Sequence, residues 1–141
     1  MLESAYPYTS GTGDDSTNCL YSASETSNVT VESYVDVTPS SPSQMMAALN
    51  TQPLAVAIEA DKRVFQSYKS GVLSSDKCGT KLDHAVLAVG YGTDEATGMD
   101  YWLVKNSWNT TWGDKGYIKL ARDSTNGACG VQMDPNQPTT N

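Results

Sequence analysis

One histidine and three cysteines hold most of the acid–base and nucleophilic potential of this 141-residue chain. His84 opens the most apolar run, HAVLAVGYG over residues 84–92, and a return segment, DYWLVKN over 100–106, follows a turn at 93–99. A hairpin pairing Gly92 with Gly98 sets Val89 opposite Tyr101, Leu87 opposite Leu103 and His84 opposite Asn106. Directly opposed antiparallel residues have Cβ atoms about 4.5–5.5 Å apart, within reach of an imidazole–amide hydrogen bond. A bulge would move that register. Trp108 lies two residues on, and an indole there would keep water from the pair and strengthen the bond. An amide oxygen orients an imidazole without giving it a full negative charge. That suits a partner that ionises readily, a cysteine thiolate in a thiolate–imidazolium pair. A serine nucleophile more often has an aspartate behind its histidine. The blander reading is a histidine at a strand end that satisfies a neighbouring amide.

Cys19, Cys78 and Cys129 are far apart and include no CxxC pair, so with a single His they do not form a closed structural zinc site. No metal and no cofactor is expected. The thiols are either disulfide-bonded or free in a core, and because three is odd, at most one bridge forms within the chain. Two sequons, Asn28-Val29-Thr30 and Asn109-Thr110-Thr111, are compatible with a secretory route.

Strands and short helices must position these groups. VTVESYVDV (29–37) alternates, with Val29, Val31, Val35 and Val37 on one face, which predicts a half-buried strand. Pro39-Ser40-Ser41-Pro42 breaks it. Ser43 is a suitable N-cap for a short helix through Met45, Met46, Ala48 and Leu49, with the Met pair filling core space. LAVAIEA (54–60) predicts an apolar strand. Asp61 can cap a second short helix carrying Val64, Phe65 and Tyr68, with Gly71 at its end. Residues 84–92 should be a central strand, 100–106 its partner, and KGYIKLA (115–121) another strand. Gly11-Thr12-Gly13-Asp14-Asp15 is turn-prone, and the polar tail 135–141 is expected to be loose. The pattern predicts an α+β, mainly antiparallel, barrel-like single domain over residues 1–141.

Composition excludes several classes. Net charge is −7, with nine Lys and Arg against 16 Asp and Glu. That balance disfavours nucleic acid, whose phosphates need clustered positive charge. No apolar run is long enough to span a bilayer, so no membrane partner is expected. The Met1-Leu2-Glu3-Ser4 start has neither the basic nor the apolar stretch of a signal peptide.

Seven stretches together resemble the right-hand, C-terminal domain of the papain-like, cathepsin L-like cysteine proteases. They are YPY (6–8), QPLAVAIEAD (52–61), FQSYKSGV (65–72), LDHAVLAVGYG (82–92), YWLVKNSW (101–108), WGDKGYIKLARD (112–123) and CG (129–130). The resemblance covers about residues 3–135, and LDHAV…GYG followed by KNSW and WG-x-x-GY is highly specific. It implies that His84 is the catalytic imidazole and Asn106 its orienting residue. It also implies that Trp108 shields the pair and that Trp112 lines the primed side of a cleft. Ala57, Leu82 and Ala85 match positions lining the pocket for the P2 side chain. Asp134, or Met133 one position earlier, falls near its base, where an acid could admit a basic P2 residue. Cys78 and Cys129 match an internal disulfide, and Cys19 matches a position that bridges to the other domain.

The family's nucleophile sits in a C-G-[SA]-C-[WY] motif of the left-hand domain, preceded by an oxyanion-hole Gln. No such motif occurs in these residues. The expectation is therefore half of an enzyme, inactive alone, with a left-hand protease domain as partner and peptide or protein as substrate. Such a half should expose an apolar patch on the face bearing His84 and Trp108. A second departure is Asn109, where the family usually has Gly after NSW. Two other functions compete: a non-catalytic pseudo-protease or binding module, and half of a serine-variant family member. The resemblance places the parent in a lysosomal or vacuolar compartment, or outside the cell.

Overall fold

The computed structural model describes residues 1–9 and 18–141. The turn expected at Gly11–Asp15 lies outside the described residues. Two compact units are present, Met1–Glu32 with Thr140–Asn141, and Ser33–Thr139. In the first, a one-turn helix spans Ala23–Glu25, and Thr30 exchanges hydrogen bonds with Asn141 through its N–H (2.9 Å) and its carbonyl (3.3 Å).

The strands in chain order are β1 (Val31–Asp36), β2 (Leu54–Ile58), β3 (Val72–Leu73), β4 (His84–Thr93), β5 (Asp100–Lys105), β6 (Tyr117–Ala121) and β7 (Pro135–Thr140). They form one open sheet in the order β1-β7-β2-β4-β5-β6-β3, with β4 at its centre. Two short helices, α1 (Pro42–Leu49) and α2 (Arg63–Gln66), complete an α+β fold. The barrel-like expectation holds loosely, since the sheet does not close.

Alternation explains the inner strands. Leu54, Val56 and Ile58 of β2 point inward, as do Trp102 and Val104 of β5 and Ile118 and Leu120 of β6. Trp102 is fully buried, and its indole N–H donates to Gln132 Oε1 at 2.9 Å. Gln132 Nε2 in turn donates to the carbonyls of Asp123 and Thr125. A buried indole needs such a partner, because an unmet donor costs about 1–3 kcal/mol. Cys78 and Cys129 are joined by a disulfide. The residues are 51 apart in sequence, and on the chain-entropy account closing a loop of that size stabilises by about 4 kcal/mol.

Several expectations need correction. β1 forms, but all six of its residues are exposed, and of the four valines Val37 is the one buried. The strand is a sheet edge, and among the described residues no layer covers its apolar face. Helix α1 begins after Ser41 rather than Ser43, with Pro42 in the first turn, where its missing N–H is no loss. Met45 is buried as expected, while Met46 is partly buried with its sulfur against Arg122 Nη1. Helix α2 starts after Lys62 rather than Asp61 and ends before Tyr68, well short of Gly71. Tyr68 is instead held by its hydroxyl, which donates to the Gly71 carbonyl (2.5 Å) and accepts the Lys119 N–H (3.3 Å). Strand β6 starts at Tyr117, because Lys115 and Gly116 turn through positive φ. β3, which pairs in parallel with β6, has no two-residue signal in the sequence. The tail is not loose. Residues 135–140 form β7, with Pro135 and Asn136 paired to β2 and the Pro135 carbonyl accepting the Val37 N–H. Polar side chains did not prevent this, because main-chain groups make the ladder.

The hairpin register also differs. Leu87 pairs with Lys105, Ala88 with Val104, Gly90 with Leu103, Gly92 with Tyr101 and Thr93 with Asp100. A bulge lies between Ala88 and Gly90, and the turn spans residues 94–99, closed by Asp94 N–H to Met99 O at 2.8 Å. Pairing Gly92 with Gly98 leaves residues 93–97 in the loop, whereas Thr93 pairs with Asp100 and leaves 94–99, so every partner shifts.

Candidate active site

His84 is the first residue of β4, level with Ile58 of β2. The segment before it is fastened both to the end of β2 and to the residues just after it. Asp83 N–H donates to the Ile58 carbonyl (2.9 Å), and its carboxylate accepts the Ala60 N–H (2.8 Å). Glu59, 3 % exposed, accepts the Lys81 N–H (2.9 Å) and pairs with Lys62 Nζ (2.8 Å). The Lys62 hydrogen bond, helped by the Lys81 N–H, holds the Glu59 carboxyl below its ordinary pKa. Gly79 lies so close that a Cβ there would run into Glu59 Oε2. Sequence reasoning missed Glu59, Asp83 and Gln132. A signal existed for the first: a carboxylate inside the apolar run LAVAIEA is buried at a cost unless it is paired.

The structure brings His84 and Asn106 together, with His84 Nε2 2.9 Å from Asn106 Oδ1. Continuing the Leu87–Lys105 register sets Asn106 level with Val86, so His84 is its diagonal neighbour, still within side-chain reach. The same Oδ1 accepts the Ser107 backbone N–H at 2.7 Å. A backbone N–H can only donate, so it fixes which amide atom is the oxygen. His84 Nε2 must then carry the proton, and the lone pair of the neutral ring sits on Nδ1. Nδ1 is thus placed to take a proton from, or return one to, a group on its own side.

Trp108 stacks on the imidazole, with ring centroids 5.1 Å apart and planes at 27°. Phe65 and Trp112 meet Trp108 edge-on, at 5.5 and 5.4 Å. Phe65 is fully buried and anchors the cluster to α2. Trp112 donates its indole N–H to the Gln66 carbonyl at 3.0 Å. Trp108 itself is 36 % exposed, as is Leu87. The face bearing His84 thus carries some apolar exposure, yet Val31, Tyr34 and Val35 of β1 are more exposed. A cleft of ≈ 370 Å³ beside the pair is lined by Ala85, Val86, Leu87, Lys105, Asn106 and Ser107.

Ala57 and Ala85 are partners across β2 and β4. A Cβ added at Gly130 would meet Leu82 Cδ2 at 2.8 Å and Met133 Sδ at 3.0 Å, so those two side chains converge there. Asp134 is exposed, and its carboxylate accepts Asn136 Nδ2 at 3.2 Å. No hydrogen bond or ion pair links it to Ala57, Leu82 or Ala85 among the described residues. Cys19 is an exposed free thiol. Asn109 lies at φ 68°, a left-handed conformation that glycine adopts freely and that asparagine tolerates best among the other residues. Among the described residues no group of three or more His, Cys, Asp or Glu is placed to hold a metal ion, and no helix is long and apolar enough to cross a membrane.

Known proteins share the sequence and fold of this chain. The model of the papain family of cysteine proteases matches residues 1–139. A probable cysteine protease of Arabidopsis thaliana, RD21B, is 46% identical over 138 residues, covering 96% of this chain and 28% of its own length. Cysteine proteinase COT44 of Brassica napus is 43% identical, with 96% and 40% covered. The bromelain protease from Ananas comosus, solved with the E64 inhibitor, superposes with a TM-score of 0.84 at 40% identity, over 97% of this chain and 61% of that one. This chain therefore spans less than half the length of these two curated relatives, and it belongs to the papain family of cysteine proteases.

Proposed function

We propose that this chain is the right-hand half of a cysteine endopeptidase, supplying the imidazole and its orienting amide for peptide-bond hydrolysis. The thiol and the oxyanion donor come from a left-hand half. The carrying observation is the single Asn106 Oδ1 that accepts both the Ser107 N–H and His84 Nε2, with Trp108 stacked on the ring. That geometry leaves Nδ1 to share a proton with a thiol. The thiolate attacks the peptide carbonyl carbon, and the C–N bond breaks as His84 Nδ1–H protonates the leaving amine. Water then cleaves the thioester, giving its proton to Nδ1. Ala57, Leu82 and Ala85 form part of the P2 pocket. Asn106 Nδ2 is buried without an acceptor among the described residues, a donor that a carbonyl on a neighbouring segment would satisfy. The Cys78–Cys129 bridge suits an oxidising lumen or the extracellular space.

Alone, the chain is inactive. The purified polypeptide is incubated under reducing, mildly acid conditions with a fluorogenic dipeptide carrying Phe or Leu at P2 and Arg at P1. A parallel sample receives a thiol-directed epoxide probe. The expected result is neither turnover nor active-site labelling, with turnover appearing when a left-hand half is added and vanishing again in His84→Ala. Turnover by the chain alone, lost in His84→Ala, would overturn the reading and make one of its own cysteines the nucleophile.

A further inference from the structure

We propose that Asn109 is the acceptor of an N-linked glycan that screens the Trp108–Trp112 rim. The inference is independent of the peptidase reading. Asn109-Thr110-Thr111 is a complete sequon, and all three residues are exposed. The backbone at Asn109 has φ 68°, so glycine would serve the turn with less strain. Asparagine adds nothing that the turn requires beyond local bonds. Its Oδ1 takes the Thr110 N–H (2.5 Å) and hydroxyl (3.2 Å). Neither bond uses Nδ2, the atom that a sugar would occupy, and no other hydrogen bond engages it among the described residues. The disulfide between Cys78 and Cys129 is an independent sign of the oxidising secretory lumen, where N-glycosylation takes place.

In the modification, Nδ2 bonds to C1 of the sugar and gives up one proton. The C1–O bond to a lipid-linked pyrophosphate donor breaks, and the pyrophosphate leaves with the electron pair. The site is one residue from Trp108, and the Asn109 carbonyl accepts the Trp112 N–H at 3.3 Å. A glycan rooted there overhangs both indoles.

The full chain is secreted from a glycosylating eukaryotic host, and the peptide containing Asn109 is read by mass before and after enzymatic glycan removal. Support for the proposal is a hexosamine-bearing mass that collapses on removal to the peptide mass with aspartate in place of the asparagine. So is its loss in Thr111→Ala and in Asn109→Gly, with retention in Thr30→Ala. An unmodified Asn109 in the secreted chain overturns it. Acrylamide, an uncharged quencher of tryptophan fluorescence, tests the screening. Trp102 is fully buried, so the accessible signal comes from Trp108 and Trp112. Quenching should rise on glycan removal, and no change would overturn the screening.

Discussion

β1 and β5 are both six residues long and both carry apolar side chains along one face, Val31 and Val35 in β1 and Trp102 and Val104 in β5, yet one is exposed throughout and the other holds the most buried tryptophan. Neighbours make the difference. β5 lies between β4 and β6, with Trp102 and Val104 pressed into the core. β1 is a sheet edge with β7 on one side, and Val31 and Val35 remain 64% and 54% exposed. Alternation thus reports that a strand can be half-buried, and a covering layer decides whether it is. Glu32 and Asp36 on β1 are the sort of charges that discourage edge-to-edge pairing.

The contrast can be broken most forcefully by truncation. Trp102→Ala should cost about 3–5 kcal/mol of unfolding free energy, whereas Val35→Ala should change it by no more than about 0.5 kcal/mol. Urea titrations of both variants check this, and comparable losses would show that β1 is covered in solution. A smaller effect sharpens what keeps the inner strands filled. Gln132→Ala strands the Trp102 N–H and should cost about 1–3 kcal/mol. Gln132→Glu keeps the acceptor but turns a buried carboxylate toward the Asp123 and Thr125 carbonyls, so it should recover none of the loss, as read by thermal melting. The gentlest test is pH. Glu59 has its folded pKa below the ordinary value of 4.5. Its contribution is fully present above that value and is lost as pH falls through the folded pKa. The melting temperature should therefore fall below about pH 4.5 more steeply in the parent chain than in Glu59→Gln. Equal slopes would mean that the Glu59–Lys62 tether adds nothing to the inner sheet.

Much of the candidate site was legible because it rests on residue chemistry. His84 and Asn106 follow from a lone imidazole and an amide on returning strands, although the expected register was wrong. A bulge and a longer turn moved each partner, and Asn106 reaches His84 diagonally. Side-chain reach forgave an error that a direct cross-strand pair would not have. β7 was illegible for the opposite reason. PNQPTT has no periodicity, and its place is set by main-chain bonds to β2 and to Val37. Residues that act through other residues were likewise hidden. Asp83 and Gln132 look like ordinary polar positions until the N–H groups they receive are in place.

The bridge between Cys78 and Cys129 encloses β4, β5 and β6, and with them both His84 and Asn106. The hairpin turn at residues 94–99 lies inside that covalent ring. A single proteolytic cut there would give two pieces that cannot part, since Cys78 stays on one and Cys129 on the other. The nicked molecule would travel as one species until a reductant opened it, and sizing under non-reducing conditions would miss the damage altogether.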